Sequence, residues 1–520
     1  MKRFTLPFIS LLLFFSVMSF AQYQNIMISD EQYPEEPSIM MNPKNPNQLV
    51  AGANLRSYYI SDDGGYNWSR GDLVSEAYGV WGDPVIIVDT AGDFYYFHLS
   101  NPQVGNWIDR IVCQKLDFES GTWNDGTYMG LNGTKAQDKE WAVVDSATNT
   151  IYVTWTQFDE YGTSDPSKFS NIMFSKSTDA GLSWSDAIQI NEVSGNCVDS
   201  DNTTEGAVPA VGPNGEVYVA WSGPAGIVFD RSLDGGETWL DQDIFVSDQP
   251  GGWDYDIPGI NRCNGLPVTC CDLSYSVHRG TMYVNGTDQR NGTDDTDVWL
   301  AKSTDGGDSW SEPVRVNDDT PGKHQFFSWM TIDGANGDIY IVFYDRRNHS
   351  DRNTDVYIAR SIDGGHTFEN ILISESPFYP TSNVFFGDYT NITAYNGQVR
   401  PIWTRLQSGQ LSLWTAIMDV SVGIDAFAEA MPFTLEQNFP NPFRETTNFA
   451  YKLHKPSYIT LAVYDLHGRQ VALLKDNRLT PTGKYVERFD PKEFRLSPGV
   501  YYFTLSEQSK IQKRKMLFVE

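Results

Sequence analysis

Eight acidic residues of this 520-residue chain stand at the start of apolar, strand-like runs: Glu35, Glu36, Asp83, Asp138, Glu140, Glu205, Asp272 and Asp388. Arg56, Arg290, Arg346, Arg347 and Arg405 close the runs that follow, with Tyr344 and Asp345 beside them. Paired carboxylates suit general acid–base chemistry, one group giving a proton while the other holds charge. Arginine suits bidentate recognition of a carboxylate. On that chemistry Asp83, Glu140 and Glu205 are candidate acid–base groups, and Tyr344 or Tyr389 a candidate nucleophile. Arg56, Arg290, Arg346 and Arg405, with Asp272 and Asp388, are candidate substrate contacts. The same residue types also form salt bridges that seal the end of a fold, and spacing alone leaves both outcomes open.

What must position these residues is a repeat. Five octets share the pattern Ser-x-Asp-x-Gly-x-Ser/Thr/Asn-aromatic: Ser61–Trp68, Ser177–Trp184, Ser232–Trp239, Ser303–Trp310 and Ser361–Phe368. Each reads as a hairpin turn. Its aspartate (Asp63, Asp179, Asp234, Asp305 or Asp363) can accept backbone N–H groups just downstream, its glycine supplies positive φ, and its aromatic residue starts the next strand. Around the octets runs a longer unit of two strands joined by a turn. Such units begin near Glu36, Asp83, Glu140, Glu205, Asp272, Phe326 and Asp388, about 47–67 residues apart. The second unit carries a degraded octet, Leu116–Trp123, and the seventh carries none. This periodicity predicts an all-β propeller over residues 22–420, with seven four-stranded blades, or six if a terminal unit is miscounted. If each octet joins the third and fourth strands of a blade, all octets lie on one face. The first-strand starts, with their acids, then lie on the other.

The octets resemble the Asp-box of sialidase-type propellers. That resemblance implies an activity on glycans: three arginines hold the substrate carboxylate, an aspartate acts as acid/base, and a tyrosine activated by a glutamate attacks. The family's opening Arg-Ile-Pro is replaced here by Glu35-Glu36-Pro37-Ser38, and Asp272 stands where a glutamate would precede Arg290. Three readings follow. One is a sialidase-type glycoside hydrolase acting on terminal acidic sugars, the second a non-catalytic propeller binding glycan or protein. The third is a polysaccharide lyase with a Tyr/His base, for which His278 and His324 are candidates. Three arginines converging beside a Tyr–Glu pair would favour the first, and arginines each tied to a local acid the second.

Both ends of the chain carry addresses. Lys2 and Arg3, the apolar run Phe8–Phe15 and Ser19-Phe20-Ala21 read as a signal peptide over residues 1–21. From Phe433 the motifs Gln437-Asn-Phe-Pro-Asn-Pro-Phe443, Leu461–Gly468, Pro498-Gly-Val-Tyr501 and the basic Lys513–Lys515 resemble the type A sorting domain of the type IX secretion system. The resemblance implies a partner, the type IX machinery, and a secreted or surface-attached product from which residues 433–520 are usually removed. Residues 421–432 read as the linker. No run is long enough for a transmembrane segment.

The chain's net charge is −29, and the acidic excess lies wholly before residue 433, because the tail is net basic. So acidic a body excludes nucleic acid as a partner. No cofactor is required, and calcium is the cation its loop carboxylates could hold. Seven histidines show no paired metal spacing. Of five cysteines, Cys263, Cys270 and Cys271 cluster near Cys197 and invite one or two disulfides in an exported protein; Cys113 stands apart.

Overall fold

The computed structural model describes residues 23–420 and 433–519, apart from 454, 466–468 and 508–509. The expected signal peptide and linker lie outside the described residues. Two compact units meet at Asp419/Val420. Among the described residues every regular element is a strand, and no helix is long and apolar enough to cross a membrane.

The first unit is a β-propeller of seven sheets. Their innermost strands are Ser38–Met41, Val85–Val88, Ala136–Val144, Glu205–Val211, Val268–Cys271, Gln325–Ile332 and Asn391–Tyr395. Each touches the next, and the last touches the first, so they line a closed ring. Six sheets are built from consecutive strands, whereas the seventh takes its outermost strand from Gln24–Ser29, paired antiparallel to Gln410–Asp419. Second strands such as Ile151–Phe158 are buried throughout, which accounts for their near-continuous apolar and aromatic sequence.

The five Asp-boxes behave alike. In the box of blade five, the Ser303 hydroxyl donates to Asp305 Oδ1 at 2.8 Å and accepts the Gly307 N–H at 2.9 Å, while Ser309 donates from its N–H (3.0 Å) and hydroxyl (2.5 Å) to the same carboxylate. The box aromatic then packs on the preceding blade: Trp184 on Phe97 (5.8 Å), Trp239 on Phe174 (4.9 Å) and Trp310 on Phe229 (5.2 Å). Gly236 and Gly307 must be glycine twice over. Their φ values are 84° and 93°, and a Cβ there would lie 2.3 Å from the same Phe174 and Phe229 rings. The boxes are thus inter-blade joints. Hydrogen bonds from Ser309 and Ser303 hold the Asp305 carboxyl down at about 2. Because that value lies below the unfolded one, the turn's contribution is present above about pH 4 and is lost as pH falls toward 2. Asp305→Ala is expected to lower unfolding free energy by about 1–2 kcal/mol in urea titrations, with ligand binding at the opposite face unchanged.

At the other end of the inner strands the backbone is strained. Glu36, Asp83, Lys139 and Phe327 have φ near 50°, and Gly206 and Gly387 take positive φ at related places. Register shifts mark bulges between Asp138 and Trp141, Glu205 and Val208, and Phe326 and Trp329. Two residues past three of these positions come Trp141, Trp329 and Tyr389, which meet in the channel: Trp141 lies 4.1 Å from Trp329 and 5.2 Å from Tyr389 between ring centroids.

The second unit contains a three-stranded sheet (Phe433–Leu435, Thr447–Leu453, Gly483–Phe489) and a four-stranded one (Gln470–Thr480, Ser457–Tyr464, Gly499–Glu507, Lys510–Phe518). They share one apolar core, in which Phe449 stacks on Phe503 at 4.1 Å.

The cysteines correct one expectation. All five are free thiols. Cys270 and Cys271 are neighbours in one strand and so point to opposite faces. Burial pushes both thiols up to about 12, which leaves them unreactive.

Candidate functional site

Above the aromatic layer the bulges turn a set of acids toward one another. Glu36, Asp83, Asp138, Glu140, Glu205 and Asp388 are all at most 8 % exposed. Lys139, itself on a bulge, sits among them: its Nζ donates to Asp388 Oδ2 at 2.8 Å and Asp83 Oδ2 at 3.3 Å, and pairs with Glu36 Oε1 at 4.0 Å. Arg262 completes the counter-charge. Its Nε donates to Asp388 Oδ1 at 3.0 Å and its Nη2 to Asp388 Oδ2, while Nη1 reaches Asp199 Oδ2 at 3.1 Å. Asn54 donates to Glu35 and Glu36 and accepts the Asp83 N–H at 2.7 Å.

The electrostatics divide these carboxyls into two kinds. Asp388, though buried, is held well below the usual carboxylate range by Lys139 and then Arg262. Glu35, Glu36, Asp138, Glu140 and Glu205 go the opposite way, chiefly through burial. Asp138 rises to about 7 and half-buried Glu35 to about 8, each also repelled by Asp83. Glu140 and Glu205 are pushed well above the ordinary range, and none of their four oxygens has a hydrogen-bond partner. A carboxyl held low by two cations thus lies in one network with several that burial pushes up. That separation is what acid–base assignments rest on. A small cavity lined by Lys139, Asp388, Tyr389, Trp141 and Asn264 opens beside them.

Exposed aromatics approach the cluster. Trp81 and Trp107 meet edge to face at 6.0 Å, Trp107 meets Tyr161 at 5.7 Å, and the Tyr161 hydroxyl donates to Asp199 Oδ2 at 2.7 Å.

Asp83, Glu140, Glu205, Asp388 and Tyr389 therefore come together. Tyr389 keeps its proton, raised by burial and the nearby Asp83 and Glu36, and its buried hydroxyl is unpartnered. The other candidates are placed elsewhere. Tyr344 exchanges hydrogen bonds with the Thr404 backbone (2.8 and 3.0 Å) inside a cage of phenylalanines. Asp272 follows the inner strand Val268–Cys271 instead of starting it, and binds the Ser274 N–H and the Ser276 hydroxyl. Exposed Arg56 pairs with Asp72 at 4.0 Å, and Arg290 pairs with Asp288 and lies over Trp299. Arg405 bonds Ser376 and stacks on Trp414, and Arg346 bonds Thr354 and the Pro258 carbonyl with one Nη2 left over. No three arginines converge among the described residues. His324 faces Thr296 and is held neutral, near 4, by burial and Arg346, while His278 packs under Gly364 of an Asp-box. The two cations that matter, Lys139 and Arg262, escaped the sequence reading. Lys139 was visible only as the basic residue between two acids, and Arg262 lies in a loop with no strand pattern.

Residues 437–520 match the family model of the secretion system C-terminal sorting domain, and residues 59–70 match the BNR/Asp-box repeat. The sorting domain marks the protein as exported by the type IX route to the cell surface or extracellular space. Comparison with curated proteins finds no match. Among solved structures the chain is similar to the NanB sialidase of Streptococcus pneumoniae (8 % identity over 72 % of this chain and 84 % of that one, TM-score 0.42). It is also similar to an ulvan lyase (11 %, 80 % and 98 %, 0.44) and to a Penicillium chrysogenum α-L-arabinanase (14 %, 65 % and 98 %, 0.39).

Proposed function

We propose that this exported propeller acts on glycans at its bulge-lined face, by acid–base chemistry on a sugar that carries no negative charge. The observation that supports this most is that Asp388, clamped by Lys139 and Arg262, shares one buried cluster with Asp138, Glu140 and Glu205, whose carboxyls burial pushes up. Asp138 supplies the proton to a leaving oxygen, and Asp388 stabilises the positive charge that develops on the ring or activates water. The arginines that would hold an acidic sugar are engaged elsewhere. Trp81 and Trp107 offer flat apolar faces on which a sugar ring can stack.

The test is a panel of fluorogenic glycosides offered to the secreted protein. Release from a neutral or amino-sugar glycoside, with none from a sialoside, is the expected result. Turnover of the sialoside would reject the assignment, as would inertness toward every glycoside. The depth of Asp388, 2 % exposed, favours one second reading, a glycan-binding propeller without turnover. Binding on a glycan array in the absence of hydrolysis would select it. In either case Trp107→Ala is expected to weaken glycan binding roughly tenfold, the loss of about 1.4 kcal/mol.

A further inference from the structure

A second acidic group lies away from the central cluster, between blades three and four. Glu192 follows the strand Ile188–Gln189, Asp230 lies within Gly226–Ser232, and Asp243 immediately precedes Ile244–Ser247. One carboxylate oxygen from each lies within 4.8 Å of the other two. The chain holds this arrangement from both sides: the Asp243 N–H donates to Glu192 Oε2 at 2.6 Å, and the Glu192 N–H to Asp243 Oδ2 at 3.3 Å.

Asp230 is the informative member. It is fully buried, its Oδ1 accepts the N–H groups of Arg231 (2.6 Å) and Leu240 (3.1 Å), and its Oδ2 has no partner. Asp243 Oδ1 is likewise buried and unpartnered. The nearest cation in sequence, Arg231, turns its guanidinium to Asp308 at 2.6 Å. A buried carboxylate oxygen without donor or counter-ion is costly unless something else satisfies it.

We infer that Glu192, Asp230 and Asp243 form a calcium site that ties blade three to blade four. Oxygens sharing one calcium ion, each 2.3–2.6 Å from it, lie within about 5 Å of one another, as these do. Three carboxylates and no histidine or cysteine make the donor set hard, which disfavours zinc, and magnesium is seldom held by so many side-chain carboxylates. The site opens on a cleft of about 380 Å³ lined by Glu192, Asp241, Gln242 and Asp243, so water can fill the remaining coordination positions. An exported protein meets enough free calcium to load a site of modest affinity.

The experiment uses the full secreted protein, stripped with EGTA and held at pH 8. Calcium titration by calorimetry is expected to show one site with a dissociation constant on the order of 10⁻⁴ M, and saturating calcium to raise the melting temperature by several degrees. Asp230→Asn is expected to lose both effects while melting no lower than the parent in EGTA, because the amide removes an uncompensated charge. Asp243→Asn, on the more accessible side, is expected to weaken calcium binding at least tenfold, and it serves as the folded variant should Asp230→Asn not fold. Identical melting in calcium and EGTA overturns the inference. So does unchanged calcium binding in both variants, which would place the ion elsewhere on the acidic surface. A larger shift with magnesium than with calcium overturns the choice of ion.

Discussion

Lys139→Met is expected to destabilise the propeller by about 3–5 kcal/mol at pH 8, the usual loss when one partner of a buried ion pair is removed. Lys139 is 8 % exposed and touches Asp388, Asp83 and Glu36 together, so its removal leaves a buried negative group with only Arg262 to balance it. Methionine keeps most of the volume, which separates charge from packing. The pH dependence gives the prediction its sign. Without the ammonium group these carboxyls bind protons more readily when folded than when unfolded. Their penalty is absent below about pH 4 and grows as pH rises through their raised folded values. Urea titrations should therefore show a smaller deficit at pH 5 than at pH 8. An equal or larger deficit at pH 5 would mean that Lys139 contributes through packing, not charge.

Asp388→Asn is expected to lower kcat/KM on the glycoside the protein hydrolyses by about 10²–10⁴-fold. The fold should survive the change, because Lys139 keeps Asp83 and Glu36 and Arg262 keeps Asp199. The parent's pH profile offers a second check. A general acid at Asp138, near 7, is protonated below that value and lost above it, so the rate should fall as pH rises through about 7. Asp138→Asn should remove that limb along with most of the rate. A wild-type profile that instead rises through pH 7 would exclude Asp138 as the acid.

Much of this was legible in the chain because it repeats. The Asp-boxes and the paired strands announce the blades through turn chemistry and period-two patterning, both of which are local. The acids of the central cluster were legible for a related reason: Asp83, Glu140, Glu205 and Asp388 occupy the starts of inner strands, and strand order alone carries those to one face. Reading failed where position depended on something non-local. Asp272 precedes a strand-like stretch, Leu273–Val277, as a strand start would, but the inner strand there is the short Val268–Cys271 before it. Arg56 and Arg290 lie just past second strands and Arg405 near the end of one, yet each finds a neighbouring acid, hydroxyl or ring instead of the centre. Arg262 stands on a loop that no periodicity registers, although it is the strongest partner of Asp388 after Lys139. The Glu192–Asp230–Asp243 group draws on two blades and shows no spacing at all.

The strand Gln24–Ser29 makes the two ends of the ring unequal under proteolysis. Gln24 lies opposite Ile417 on adjacent strands, so the propeller begins and ends at a single seam. Cutting after Asp419, as removal of a sorting tail would, takes no strand from any sheet of the ring. Trimming past Ser29 would strip the last blade of its outer strand and bare the edge of Gln410–Asp419, a template for pairing with another chain. Loss of the residues up to Ser29 would therefore do more harm to this molecule than a cut that deletes the whole C-terminal unit.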